Sequence, residues 1–179
     1  MIHVRRAGPL DAGAMAELLN EVIVQGGTTA MTEEVTREDI AGRIGAPRAI
    51  WHLAEDDAGA LLGFQWVEPL EGERGLVAEI ATFARVGRTG LGIGSALFEA
   101  TRAACVAEGY DWIRANIRAD NSGGLAYYQS RGFEDYGRIG GYRMGNGQVV
   151  DLTLGKNLAA GAESGPIDLP GEARVIKKI

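Results

Sequence analysis

Apolar and polar positions along this chain follow two rhythms, and the changes between them mark out its elements. Ile2–Arg6 reads as a short strand. Behind Asp11, a residue type suited to an N-cap, Met15, Leu18, Leu19, Val22 and Ile23 recur at the spacing of one buried helix face. Gly26 and Gly27 end that helix. Thr36 to Asp39 has the form of a capping box, with Asp at its last place, and opens a short helix carrying Ile40 and Ile44. Gly45 and Pro47 end it. Ala49–Ala54 and Leu61–Val67 read as partner strands around a turn at Asp56–Gly59. Another turn is expected at Glu71–Gly75, followed by a central strand at Leu76–Ala84. Ile93, Leu97, Ala100 and Ala104 stripe a longer helix that stops near Gly109. In Trp112–Arg118, Trp, Arg, Asn and Arg alternate with Ile, Ala and Ile, the pattern of a half-buried strand. A helix over about 122–131 ends at Gly132, and strands at 133–142 and 148–154 can pair across Gly145 to Gly147. The resulting order, β-α-α-β-β-β-α-β-α-β-β, predicts an α/β (α+β) fold on a mixed sheet.

Between the central strand and the long helix lies Arg88-Thr-Gly-Leu-Gly-Ile-Gly-Ser95. Glycines at 90, 92 and 94 let backbone approach a ligand closely. The N–H groups of such a turn, with a helix start behind it, attract an anion. A phosphate or pyrophosphate is the expected ligand. A Walker A loop needs Gly-Lys-Ser/Thr, which the chain lacks. A dinucleotide fingerprint needs G-x-G-x-x-G, and here the third glycine comes one residue early.

A second motif follows downstream, Asn121-Ser-Gly-Gly-Leu-Ala-Tyr-Tyr-Gln-Ser-Arg-Gly-Phe133. Asn121 and Tyr128 are seven residues apart, close to two helical turns, and so share a helix face. Together the two stretches resemble the GNAT superfamily of acetyl-CoA-dependent N-acetyltransferases. That family's coenzyme A loop reads Arg/Gln-x-x-Gly-x-Gly/Ala, which Gly92 and Gly94 fit. The loop's first position falls on Thr89, and the basic residue stands one place earlier, at Arg88. The second stretch is similar to the family's Asn, small residue, Leu-Tyr, Gly-Phe signature. Its wording looks like the branch that acetylates small amino compounds.

The resemblance covers about residues 1–155. Residues 156–179, with Gly, Pro, Ser and a closing Lys177-Lys178-Ile179, read as a C-terminal tail. The resemblance implies a twisted mixed sheet with helices on both faces. Its two central strands, here Leu76–Ala84 and Trp112–Arg118, would splay apart to admit the pantetheine arm. Acetyl-CoA is the implied co-substrate, and no metal is. Backbone N–H groups of Thr82, Phe83 and Ala84 would serve the thioester. Arg88, Thr89, Gly90, Leu91, Gly92, Ile93, Gly94 and Ser95 would hold the phosphates. Asn121 would contact the coenzyme arm, or act as an N-cap, or both.

Tyr128 is the implied acid for the leaving thiolate, since a phenol of pKa about 10 and a thiol of about 8.5 lie close enough for transfer. Tyr127, about 100° round the same helix, is expected to face packing instead. Glu79 is a carboxylate in mid-strand, which is costly unless paired or functional. It is either the base that deprotonates the amine or one half of an ion pair with an arginine such as Arg114. Some family members carry the base on the next strand, five residues before the asparagine, but Asn116 stands there and cannot accept the proton. The segment Gly26–Glu34 would roof the substrate pocket.

Bulk properties narrow the partners. The 179 residues suit one domain. The net charge of −6 argues against nucleic acid and fits a cationic substrate. No apolar stretch is long enough to span a membrane, and the N-terminus lacks a signal-peptide core. Two histidines and a single Cys105 provide no metal-ligand spacing and no internal disulfide, which fits a reducing cytoplasm. The expected function is N-acetylation of a small primary amine, with protein or peptide acetylation and a non-catalytic acyl-CoA-binding module as alternatives. A homodimer is a common assembly in the family.

Overall fold

The computed structural model describes residues 1–70 and 76–158. The elements are β1 (His3–Arg6), α1 (Ala12–Gln25), α2 (Arg37–Ile44), β2 (Ile50–Glu55), β3 (Leu61–Pro69), β4 (Val77–Ala84), α3 (Ile93–Glu108), β5 (Trp112–Arg118), α4 (Ser122–Ser130), β6 (Glu134–Arg143) and β7 (Val149–Leu158). They form one seven-stranded sheet in the order β1-β2-β3-β4-β5-β7-β6. Only the β4–β5 pair is parallel, with α3 as its crossover.

Most expected elements form where the pattern placed them. Thr36 and Asp39 make the reciprocal capping-box bonds at 3.1 and 2.8 Å. Asp11 differs from its expected role. It precedes α1 without a side-chain cap, and its carboxylate turns back to Arg5 and the Gly8 N–H. A guanidinium held at 2.8 Å outcompetes a helix N–H for those oxygens. Strand β7 also exceeds its expected end, so Lys156, Asn157 and Leu158 belong to the sheet and not to a tail. Pairing along the whole of β5 carries it there. The remaining tail residues and the Glu71–Gly75 turn lie outside the described residues.

The sheet buries side chains on both faces. On one, α1 and α2 pack Met15, Leu18, Leu19 and Ile40 against Trp51, Phe64, Trp66 and Phe83. On the other, α3 and α4 pack Phe98, Cys105 and Tyr128 against Ile50, Ile80, Ile113 and Phe133. Cys105 is a packing residue whose thiol burial pushes up to about 12.

His52 crosses from β2 to Thr101 of α3 at 3.2 Å. Burial, then the Arg6 charge, lower its pKa to about 4. The unfolded chain therefore binds a proton near pH 6.5 that the folded chain refuses until about pH 4. Stability from neutral His52 is full above 6.5 and falls as pH drops through this window, by roughly 2–3 kcal/mol. Urea denaturation at pH 7 and pH 4 should show a smaller acid-side loss in His52→Gln than in the natural chain.

Candidate active site

Strands β4 and β5 pair only over Val77–Ile80 and Trp112–Ala115. Beyond Ile80, β4 stays on β3 through Ala84 while β5 runs on with β7 to Arg118, which opens a gap between the two central strands. The register with β3 decides which amides face this gap. The Arg85 N–H bonds to Leu62 O, so alternation turns the Phe83 N–H toward β3 and those of Thr82 and Ala84 toward the gap. Two of the three expected backbone donors are thus free to serve a ligand there. Phe83 instead supplies a core ring against Phe64 and Trp66.

The Gly-rich loop stands at the top of the gap. Arg88, Thr89, Gly90 and Leu91 are exposed. Gly90 and Gly92 adopt φ of +83° and +80°, and a Cβ at either would meet open space. Gly92 is the N-cap of α3. The first i→i−4 bond runs from Ala96 N–H to Gly92 O, so the N–H groups of Ile93, Gly94 and Ser95 precede the helical ladder. These residues fit an anion, and no group of three or more His, Cys, Asp or Glu among the described residues could hold a metal.

Below the loop, α4 presents Tyr128 to β4. Asn121 caps this helix through the Gly124 N–H at 2.9 Å. Its amide also donates to Thr28 O at 3.1 Å, and Arg118 donates to Thr29 O at 3.2 Å. These bonds tie the expected roof segment to β5 and α4. The Tyr128 hydroxyl lies 2.9 Å from Thr82 Oγ1. Burial pushes its pKa well above the ordinary phenol value, and the hydrogen bond to Thr82 offsets part of that rise. Tyr128 therefore carries its proton at working pH.

Tyr127 departs from its expected place in packing alone. Its hydroxyl donates to Gly94 O at 2.7 Å and accepts from Gln65 Nε2 at 3.2 Å. Gln65 also donates to Thr82 Oγ1 at 2.7 Å. Helix angle placed Tyr127 about 100° from Tyr128, but the Tyr127 side chain reaches Gly94 in the first turn of α3, so both hydroxyls meet one polar cluster. Gln65 was not singled out from the sequence. The available signal was a lone amide in the otherwise apolar run Leu61–Val67.

Glu79 faces the opposite side of the sheet, with Ala81 and Phe83. It accepts from Arg114 Nε at 3.2 Å and from Arg114 Nη2. Its register partner on β3 is Glu68, which pairs with Arg43 at 2.9 and 3.0 Å. Each of these adjacent carboxylates thus has its own arginine, which offsets their repulsion. The Glu79 side chain remains 34% exposed, so a ligand can still reach it. Asn116 is exposed on β5. A separate groove of about 770 Å³ runs between α3, the end of α4, the start of β6 and the end of β7, and no residue of the candidate site lines it.

The profile of the acetyltransferase (GNAT) family matches residues 14–133. A mycothiol acetyltransferase of Clavibacter michiganensis subsp. michiganensis is 34% identical over 104 residues, 56% of this chain. The matched stretch is 33% of that relative's length. A phosphinothricin acetyltransferase of Sinorhizobium meliloti, solved with acetyl-CoA, aligns with a TM-score of 0.81 at 21% identity, covering 93% of this chain and 94% of that one. An N-acetyltransferase of Staphylococcus aureus Mu50 aligns with a TM-score of 0.79 at 18% identity, covering 89% and 99%. These two structures share the fold. The family profile spans the Gly-rich loop, the parted strands and the Tyr128 helix, and this chain belongs to the acetyltransferase (GNAT) family.

Proposed function

We propose that this chain transfers the acetyl group of acetyl-CoA to the primary amine of a small molecule, such as an amino acid. The observation that carries the reading is the parting of β4 from β5 after Ile80 and Ala115. Thr82, the first residue past that point on the α4 face, holds the Tyr128 hydroxyl. In this reading the Gly-rich loop binds the coenzyme phosphates, and the Thr82 and Ala84 amides donate to the thioester oxygen as charge develops there. Tyr128 gives its proton to the departing thiolate. Burial that raises the phenol also disfavours a thiolate formed beside it, which keeps the transfer matched.

An alkyl amine near pKa 10 must lose a proton before attack. Glu79 is the proposed acceptor of that proton, directly or through water, and Arg114 holds its carboxylate in place. Acid and base then stand on opposite faces of the sheet, with the gap between the strands joining them. The S. meliloti protein is a phosphinothricin acetyltransferase, and this supports a small acceptor. The test is a panel of small amines with acetyl-CoA, following release of free thiol. Acetylation of peptides but of no small amine would overturn the choice of acceptor.

Glu79→Gln separates two roles for this residue. As the base, Glu79 accounts for a loss of turnover of about 10²-fold or more in the variant, partly restored at high pH where more free amine is present. As an ion-pair partner only, it would leave turnover per folded molecule intact and lower the melting temperature. Both quantities can be measured on the one variant, and we expect the first pattern.

A further inference from the structure

We propose that Gln65 is a positioning residue for the acid step: through Thr82 it sets the direction in which Tyr128 presents its proton. This rests on the reading of Tyr128 as the acid.

The direction follows from which atoms can only accept. The Gly94 carbonyl cannot donate, so the Tyr127 hydroxyl spends its proton there, at 2.7 Å. The Tyr127 oxygen is then an acceptor toward Gln65, at 3.2 Å, and Gln65 must turn its NH2 to it. That same NH2 lies 2.7 Å from Thr82 Oγ1 and gives it the second hydrogen. The amide orientation is thus pinned from the loop end of the chain of bonds. The cost is visible in the side chain itself. Gln65 is fully buried, and its Oε1 has no hydrogen-bond partner among the described residues. Buried acceptors left unsatisfied are rare and call for a reason. Here the reason is that the site needs the donor end of the amide.

The bond between Thr82 and Tyr128, at 2.9 Å, can run either way. If Tyr128 donates, its proton points into the protein and away from the gap. If Thr82 donates, the Tyr128 proton is left for the leaving group. An oxygen that already accepts a hydrogen bond is a stronger donor and a weaker second acceptor. Gln65 loads Thr82 in this way and selects the second arrangement. Without Gln65 the preference reverses, because a phenol is a better donor than an aliphatic alcohol, and Tyr128 would donate to Thr82.

Gln65→Met tests this, since the thioether fills similar volume, offers no N–H and removes the orphaned oxygen. The variant should melt at the same temperature as the natural chain or higher. Its kcat should fall about tenfold, a part of the contribution typical of a general acid, with KM for acetyl-CoA unchanged. In a Tyr128→Phe background the same substitution should cost nothing further, because the proton it directs is absent. Tyr127→Phe unpins the amide and should give a smaller loss that vanishes in the same background. A stable Gln65→Met with natural kcat overturns the proposal. So does a loss that persists in full beside Tyr128→Phe, which would make Gln65 a packing residue. Natural turnover in Tyr128→Phe alone would instead overturn the acid reading on which the proposal stands.

Discussion

Tyr128→Phe is expected to lower turnover by about 10²–10⁴-fold while acetyl-CoA affinity stays near that of the natural chain. The ring is a core residue, packed at 5.0 Å from Phe133 and 4.9 Å from Tyr127, and phenylalanine keeps both contacts. The hydroxyl has a single side-chain partner among the described residues, Thr82. Removing it should leave the fold intact and delete only the proposed proton donor. The check is kcat under saturating acetyl-CoA beside the dissociation constant measured by calorimetry. Equal loss in both would mean that the hydroxyl binds the coenzyme and does not move a proton.

Gly92→Asp is expected to weaken acetyl-CoA binding by about 10³-fold without unfolding the protein. Two unit charges about 4 Å apart at an effective dielectric of 20 repel by about 4 kcal/mol, which corresponds to that factor. The substituted side chain also occupies the open space above the turn, where backbone would otherwise approach the phosphates. Aspartate tolerates the left-handed φ of +80° better than most residues and is a good N-cap, so the helix should survive. Circular dichroism should confirm a folded chain, and calorimetry should show the lost affinity. A folded variant that binds normally would remove this loop from the site.

Much of this architecture was legible in the one-dimensional pattern, for identifiable reasons. Helix α1 announces itself through Met15, Leu18, Leu19, Val22 and Ile23 because one face is buried and the other wet. Strand β5 alternates for the same reason on a period of two. Helix α2 shows its start because Thr36 and Asp39 close their bonds within three residues. The loop at 90–94 was readable because positive φ is a local demand that selects glycine. Each of these signals depends only on neighbours along the chain.

Read along the chain alone, the residues establish the order of the elements, the position of the Gly-rich turn and the presence of Tyr128 on the helix face it shares with Asn121. Relations across distant segments were decided by the tertiary structure. The register of β4 on β3 turned the Phe83 amide away from the gap and left those of Thr82 and Ala84 facing it. The parallel register of β4 and β5 set Glu79 beside Arg114, residues 35 apart in sequence. The reach of the Tyr127 side chain to Gly94 and Gln65 drew both residues into one hydrogen-bonded chain with Thr82 and Tyr128. A hydrogen bond needs its partners within about 3 Å and correctly directed, and spacing along the chain carries no information about that for partners on different elements.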